Sequence, residues 1–182
     1  MSDWIHRIVA PTAIVISVGA IPCYAATYLT VEQAQRLCFA DATEFAAADV
    51  KLTREQMKTI EGDSGVRVRL EAQKVWRAQA GENFLGWVIQ DEVLGKHEFI
   101  QWVLALNKDG SVRQIEILDY RETYGYEIRN EKWRAQFTGK QHGAKLKLDS
   151  DIQNISGATL SCRHITDGVK RLLALYDLVL KR

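Results

Sequence analysis

The chain has 182 residues, 47% of them hydrophobic, which suffices for one substantial core and is too little for two comfortable domains. Its 24 basic and 23 acidic side chains leave a formal net charge of +1, so charge calls for neither nucleic acid nor an anionic membrane surface as partner. Two prolines and the lack of any low-complexity tract exclude long disordered linkers.

At the N-terminus, His6 and Arg7 precede an uncharged apolar run from Ile8 to Ile21, and Cys23 and Ala25 put small residues where a signal peptidase reads. Residues 1–25 are therefore expected to be a secretory signal, cut near Ala25 or Ala26, which predicts a periplasmic body. An uncleaved membrane anchor is the alternative, since the uncharged run continues to Val31, although Pro11, Thr12, Pro22 and Thr27 dilute it. Cys23 makes a poor lipidation site, because the residue before it is Pro22 rather than a small one. Cys38 and Cys162 remain in the body. Export would permit a disulfide, but one falls in an apolar helical stretch and the other beside a run of small residues, so two separate buried thiols are predicted.

Residues 26–65 read as a helical extension. Thr30 caps a helix through Phe39 with Val31, Leu37 and Phe39 as its apolar stripe, and Thr53 caps a second from Arg54 to Ile60, ended by Gly62. Residues 66–182 form the main body. There the period changes to two, with Val66, Val68 and Leu70 alternating with charged residues, followed by Lys74 to Arg77, Trp87 to Ile89 with Val93 and Leu94, and Phe99 to Leu106. Asn107-Lys108-Asp109-Gly110 is a strong turn before Val112, Ile115, Ile117 and Leu118. This predicts an antiparallel meander of four or five strands. Trp76, Trp87, Trp102 and Trp133 are read as core. Arg129 to Phe137 reads as a short helix, Leu146 and Leu148 as a short strand, and Cys162 to Lys181 as an amphipathic helix with Ile165, Val169, Leu172, Leu173, Tyr176 and Leu180 inward. The predicted class is α+β, an antiparallel sheet with short N-terminal helices and a C-terminal helix packed to one side of it.

Just before that last helix stand Ser156, Gly157, Ala158 and Thr159, followed by Leu160 and Ser161. Small residues contribute little to a core but let a backbone approach a bulky anion. At a helix N-terminus the unpaired amides and the positive dipole end favour a phosphate, to which the hydroxyls of Ser156, Thr159 and Ser161 add donors. Arg163 and His164 stand in the first turn to reinforce it. Upstream, Glu122-Thr123-Tyr124-Gly125-Tyr126 follows the last predicted strand. Its bland reading is a solvated turn, and that of Gly95-Lys96-His97-Glu98 is a hairpin turn.

Taken together, Ser156-Gly157-Ala158-Thr159 resembles the Ser/Thr-Gly-Ala-Thr motif of the FMN-binding domain found in flavin-carrying subunits of the sodium-pumping NADH:quinone reductase and the related Rnf complex. Glu122-Thr123-Tyr124-Gly125 is similar to that family's Glu-Thr-Pro-Gly segment, with Tyr124 in the place of proline. The resemblance spans roughly Phe84 to the C-terminus. It implies FMN as cofactor, esterified through its phosphate to Thr159 by a dedicated flavin transferase. It further implies Ser156, Gly157, Ala158, Leu160 and Ser161 around the phosphate and Glu122, Thr123, Tyr124 and Gly125 against the flavin. Gln153 occupies a position where the family's attachment motif carries Asp; the nearest acid is Asp151. The sequence contains no Gly-x-Gly-x-x-Gly nicotinamide fingerprint, catalytic triad pattern or metal cluster. The expected function is that of an electron-transfer flavoprotein, passing electrons between redox protein partners that include membrane-bound ones. A non-covalent FMN-dependent reductase and a flavin-free adaptor subunit are the alternatives.

Overall fold

A computed structural model describes residues 28–181; the predicted signal lies outside them. The elements are α1 (Val31–Cys38), β1 (Glu44–Ala47), β2 (Val50–Lys51), α2 (Arg54–Ser64), β3 (Ala72–Ala80), β4 (Asn83–Leu94), β5 (Phe99–Asn107), β6 (Val112–Asp119), α3 (Glu131–Arg134) and α4 (Thr159–Leu175). Short 3-10 turns, Tyr126–Arg129 and Ala135–Phe137, flank α3, and α4 runs on into a π-helical turn, Tyr176–Leu180. The class is α+β, as expected.

The sheet has the order β1-β3-β4-β5-β6, every neighbour antiparallel, and β2 also pairs with β3. Segment 26–65, expected to be helical, thus also supplies two strands to the sheet. Strand β5 explains the layering. Ile100, Trp102, Leu104 and Leu106 point to one face and Val103 and Ala105 to the other, all of them buried. A strand apolar on both faces needs cover on both. The larger core lies under α2 and α4; the smaller joins Ala34, Cys38 and Phe39 to Val88, Val103 and Leu118 on the opposite face. The helices therefore do not all lie to one side, because α1 covers the second face.

Four local expectations are corrected. Helix α1 buries Ala34, Gln35 and Cys38, whereas Leu37 is 54% exposed. Helix α2 passes through Gly62 and ends at Gly65, whose φ of 69° closes it in the left-handed conformation. Residues 66–71 alternate like a strand but find no partner strand; the Val68 amide donates instead to Glu61 Oε1 at 2.9 Å, and pairing begins at Ala72. Local alternation without a neighbour does not make a strand. Leu146 and Leu148 form only a single parallel bridge, Leu148 to Ile152. Leu146 sits at a φ of 39°, and Asp151 ties this loop down by accepting from the Leu146 and Lys147 amides and from Lys140 Nζ.

Helix α4 begins three residues earlier than its apolar period suggests, so that Thr159 is its first residue. Its inward Ile165, Val169, Leu172 and Leu173 are buried against the sheet. Each such side chain contributes about 1.5–3 kcal/mol of transfer free energy, so the position of α4 is firmly set. Cys38 and Cys162 are free and buried, as expected, and burial pushes their thiols up to about 12 and about 11 respectively. Burial thus disfavours the nucleophilic thiolate form in both.

Candidate functional site

The segment entering α4 is a tight turn. The Ala158 amide donates to Ile155 O at 3.0 Å, and Gly157 between them has a φ of 83°, a conformation that glycine adopts without steric cost. Ala158 is the N-cap residue, its φ of −125° and ψ of 23° lie outside the extended region, and no side chain caps the helix. The amides of Thr159, Leu160 and Ser161 belong to the first turn and so have no intrahelical acceptor. Ser156, Gly157 and Leu160 are exposed and Thr159 is half-buried, so this row of amides opens outward. Among the hydroxyls, that of Ser161 is buried against Tyr120, whereas Thr159 Oγ1 stays at the opening and accepts from Asn154 Nδ2 at 3.1 Å.

The second segment meets the first directly. A Cβ added to Gly125, whose φ is 89°, would fall 2.2 Å from Ala158 Cβ and 2.7 Å from the Tyr120 hydroxyl, so only glycine permits this approach. Tyr120 in turn donates its hydroxyl to Tyr124 O, holding the loop over the α4 N-terminus. Tyr124 lies beside Gly157, its Cβ 3.9 Å from where a Gly157 Cβ would stand, and its ring is 72% exposed. Thr123 is exposed. Glu122 is not a solvated turn residue. Its buried carboxylate reaches into the β4–β5 hairpin, where Oε1 accepts from the His97 amide at 2.6 Å and the Glu98 amide at 3.1 Å. Burial works against ionisation there, but the amides of His97, Glu98 and Lys96 prevail and hold Glu122 below its ordinary value of 4.5.

The hairpin turn at residues 95–98 is as expected, and His97 contributes its backbone rather than its ring to this contact. Arg163 is exposed, and His164 turns its ring to Leu94 O, away from the first-turn amides. Sequence reasoning missed Asn154, which stands five residues before Thr159 and reaches its hydroxyl. It also missed a groove of about 520 Å³ that opens along α4 past the first turn, with Val66, Leu70, Leu94 and Phe99 among its walls and His164 and Arg171 on its helix side. Within it Arg171, largely covered, pairs with the buried Asp91 at 2.6 Å. Burial raises the Asp91 pKa, and Arg171 only partly offsets it.

The arrangement fits FMN on two counts of its own. A first turn left uncapped matches the phosphate, and Asn154 Oδ1, buried without a partner beside Thr159, is a spare acceptor for a ligand hydroxyl. No cluster of three or more His, Cys, Asp or Glu that would hold a metal occurs among the described residues.

An antiparallel sheet, a closing helix with an uncapped N-terminus and a loop laid over it make up this α+β domain. Residues 95–174 match the FMN-binding domain family, and this match, together with the relative that follows, supports FMN as the cofactor. The matched span contains both segments that meet at Ala158. The chain is also 28% identical over 133 residues to a subunit of the proton-translocating ferredoxin:NAD(+) oxidoreductase complex of Clostridium ljungdahlii, covering 69% of this chain and 72% of the relative. Its fold is similar to the crystal structure of Shewanella oneidensis NqrC, with a TM-score of 0.52 at 15% identity over 74% of this chain and 80% of that one.

Proposed function

We propose that this chain is an electron-transfer flavoprotein whose FMN is esterified through its phosphate to Thr159 Oγ1 by a flavin transferase. The observation that carries this reading is the uncapped first turn of α4, with the Thr159 hydroxyl at its opening and the 122–126 loop pinned over it. Bound FMN supplies one- and two-electron chemistry. The protein's own groups do the rest. First-turn amides receive the phosphate charge, Asn154 orients the Thr159 hydroxyl, and Gly125 lets the two segments close on each other. In this reading Ser156, Gly157, Ala158, Leu160 and Ser161 serve through their backbone around the phosphate, and Thr123 and Tyr124 lie on the flavin side. Glu122 shapes the loop by holding the hairpin.

The clostridial relative is one component of a ferredoxin:NAD(+) oxidoreductase complex, which supports redox protein partners, membrane-bound ones among them. The sequence of residues 1–25 supports export and a periplasmic site of action; among the described residues no helix is long and apolar enough to cross a membrane. Gln153, where the family's motif carries Asp, favours a second reading in which FMN is held without the ester. Its side chain is exposed and its backbone is engaged with Gln136 and Trp133.

The test is the intact mass of the protein co-expressed with a flavin transferase, beside a Thr159→Ala variant. A gain of one FMN less one water in the wild type alone is the expected result. Yellow protein without the gain would replace the ester with non-covalent binding, and colourless protein would remove the flavin function.

A further inference from the structure

We propose that the groove between residues 65–70, the end of β4 and α4 is a strand-addition site, which takes an extended peptide of a partner protein with alternating apolar and acidic residues. Its lining includes neither Thr159, Leu160 nor any residue of 122–126, so it stands apart from the flavin site.

Three observations carry it. The first is an open edge. Strand β4 pairs with β5 as far as Leu94, whereas its ladder to β3 stops at Gln90. Antiparallel strands turn the backbone groups of alternate residues to opposite neighbours. The Gly95 amide closes the hairpin onto Glu98 O, so the backbone groups of Glu92 and Leu94 point the other way, into the groove. His164 Nδ1 meets Leu94 O from α4, which agrees with that direction. This contact occupies one group of the edge and leaves the Glu92 N–H and C=O and the Leu94 N–H without a partner strand. Second, residues 66–71 carry the alternation of a strand and contribute to the groove's wall, yet they have no partner strand either. A strand added beside β4 supplies the neighbour that both lack. Third, the walls select the peptide. Leu70 (49%), Leu94 (38%) and Phe99 (53%) expose apolar surface in this one concavity, against which alternate side chains of an extended peptide pack. Arg67 and Arg69 in the lining are exposed and pair with no acid among the described residues. The groove's own acids are engaged, Asp91 with Arg171, Asp167 with Lys170 and Glu92 with Gln101. The unpaired charge is therefore positive, and its complement on the occupant is acidic.

The test uses the full chain and two synthetic peptides with a red fluorophore, one of alternating valine and glutamate and one with lysine in place of each glutamate. Binding is read by fluorescence anisotropy, and strand pairing by hydrogen exchange at the Glu92 and Leu94 amides of isotope-labelled protein. The acidic peptide should bind about tenfold more tightly than the basic one at low salt, and a double variant, Arg67→Glu with Arg69→Glu, should reverse that preference. The acidic peptide should also slow exchange at Glu92 and Leu94, which side-chain contact alone would not do. Glu92→Pro removes one amide from an edge, where proline is tolerated, and should abolish binding; the exposed arginine variants carry the test should this one fail to fold. Binding of neither peptide, equal binding of both, or binding without slowed exchange at Glu92 and Leu94 would overturn the proposal. Slowed exchange in the protein alone as its concentration rises would overturn it too, in favour of a second copy of this chain as the occupant.

Discussion

Helices α1, α2 and α4 begin in two different ways. Helices α1 and α2 start with complete capping boxes. Thr30 and Thr53, both in extended backbone conformations, accept from the third helical amide, and Gln33 and Gln56 return the bond. Helix α4, the longest, starts with Ala158, which is not in the extended conformation and has no side chain that can cap. A chain that caps α1 and α2 so fully, and α3 through Asn130, is not short of capping residues; the open end of α4 is consistent with the proposed phosphate site. The β4–β5 hairpin sharpens the contrast, because there a set of converging amides receives an internal anion, the Glu122 carboxylate.

The strongest way to break this arrangement is to separate the loop from the open helix end. In Gly125→Ala the new methyl group would meet Ala158 Cβ and the Tyr120 hydroxyl at a φ of 89°. Left-handed strain in a non-glycine residue and overpacking cost about 1–3 kcal/mol each. Chemical denaturation should show a loss of about 3 kcal/mol, and the surviving folded protein should take up less FMN than wild type at equal concentration. A variant as stable as wild type would show that the loop does not depend on this approach.

A smaller effect separates capping from ligand binding. Thr53→Ala removes a cap and should cost about 1 kcal/mol, measured by urea denaturation, with flavin loading untouched. Thr159→Ala removes no cap and only the bond from Asn154, so it should cost about 0.5 kcal/mol while abolishing the attached flavin. The comparison fails if the two variants lose stability equally and both keep their flavin.

The same contrast explains what could be read from the sequence. The capped starts of α1 and α2 and the turn at residues 107–110 were legible because each is local: a Thr with Gln three residues on, or Asn-Lys-Asp-Gly, specifies its own geometry. The Ser156–Thr159 tetrad was legible as the entry to a helix for the same reason, although the first helical residue was not, since Thr159 enters α4 before the apolar period begins. What failed was everything set by distant neighbours. Residues 66–71 carry a strand's alternation with no strand to pair with, and Leu37 looks apolar yet faces solvent because α1 is rotated by its seat on Val103 and Ala105. No local pattern showed that the Glu122 carboxylate accepts from amides 24 and 25 residues away. The groove was invisible for the same reason, being assembled from three separate parts of the chain.

The smallest expected effect tests the internal anion. Glu122 is depressed below its ordinary value of 4.5 because the His97, Glu98 and Lys96 amides outweigh its burial. A carboxylate more acidic when folded than unfolded adds stability above the unfolded value and loses it as pH falls through the folded one. Thermal unfolding of the wild type should therefore be insensitive to this group near neutral pH and should weaken progressively as pH drops below about 4.5. Glu122→Gln keeps the shape and one carbonyl acceptor without the charge, so it should start less stable at neutral pH and converge on the wild type in acid. Parallel curves for the two proteins across this range would mean that the hairpin amides do not need a charge. The anion at the hairpin would then offer no internal precedent for the phosphate at α4.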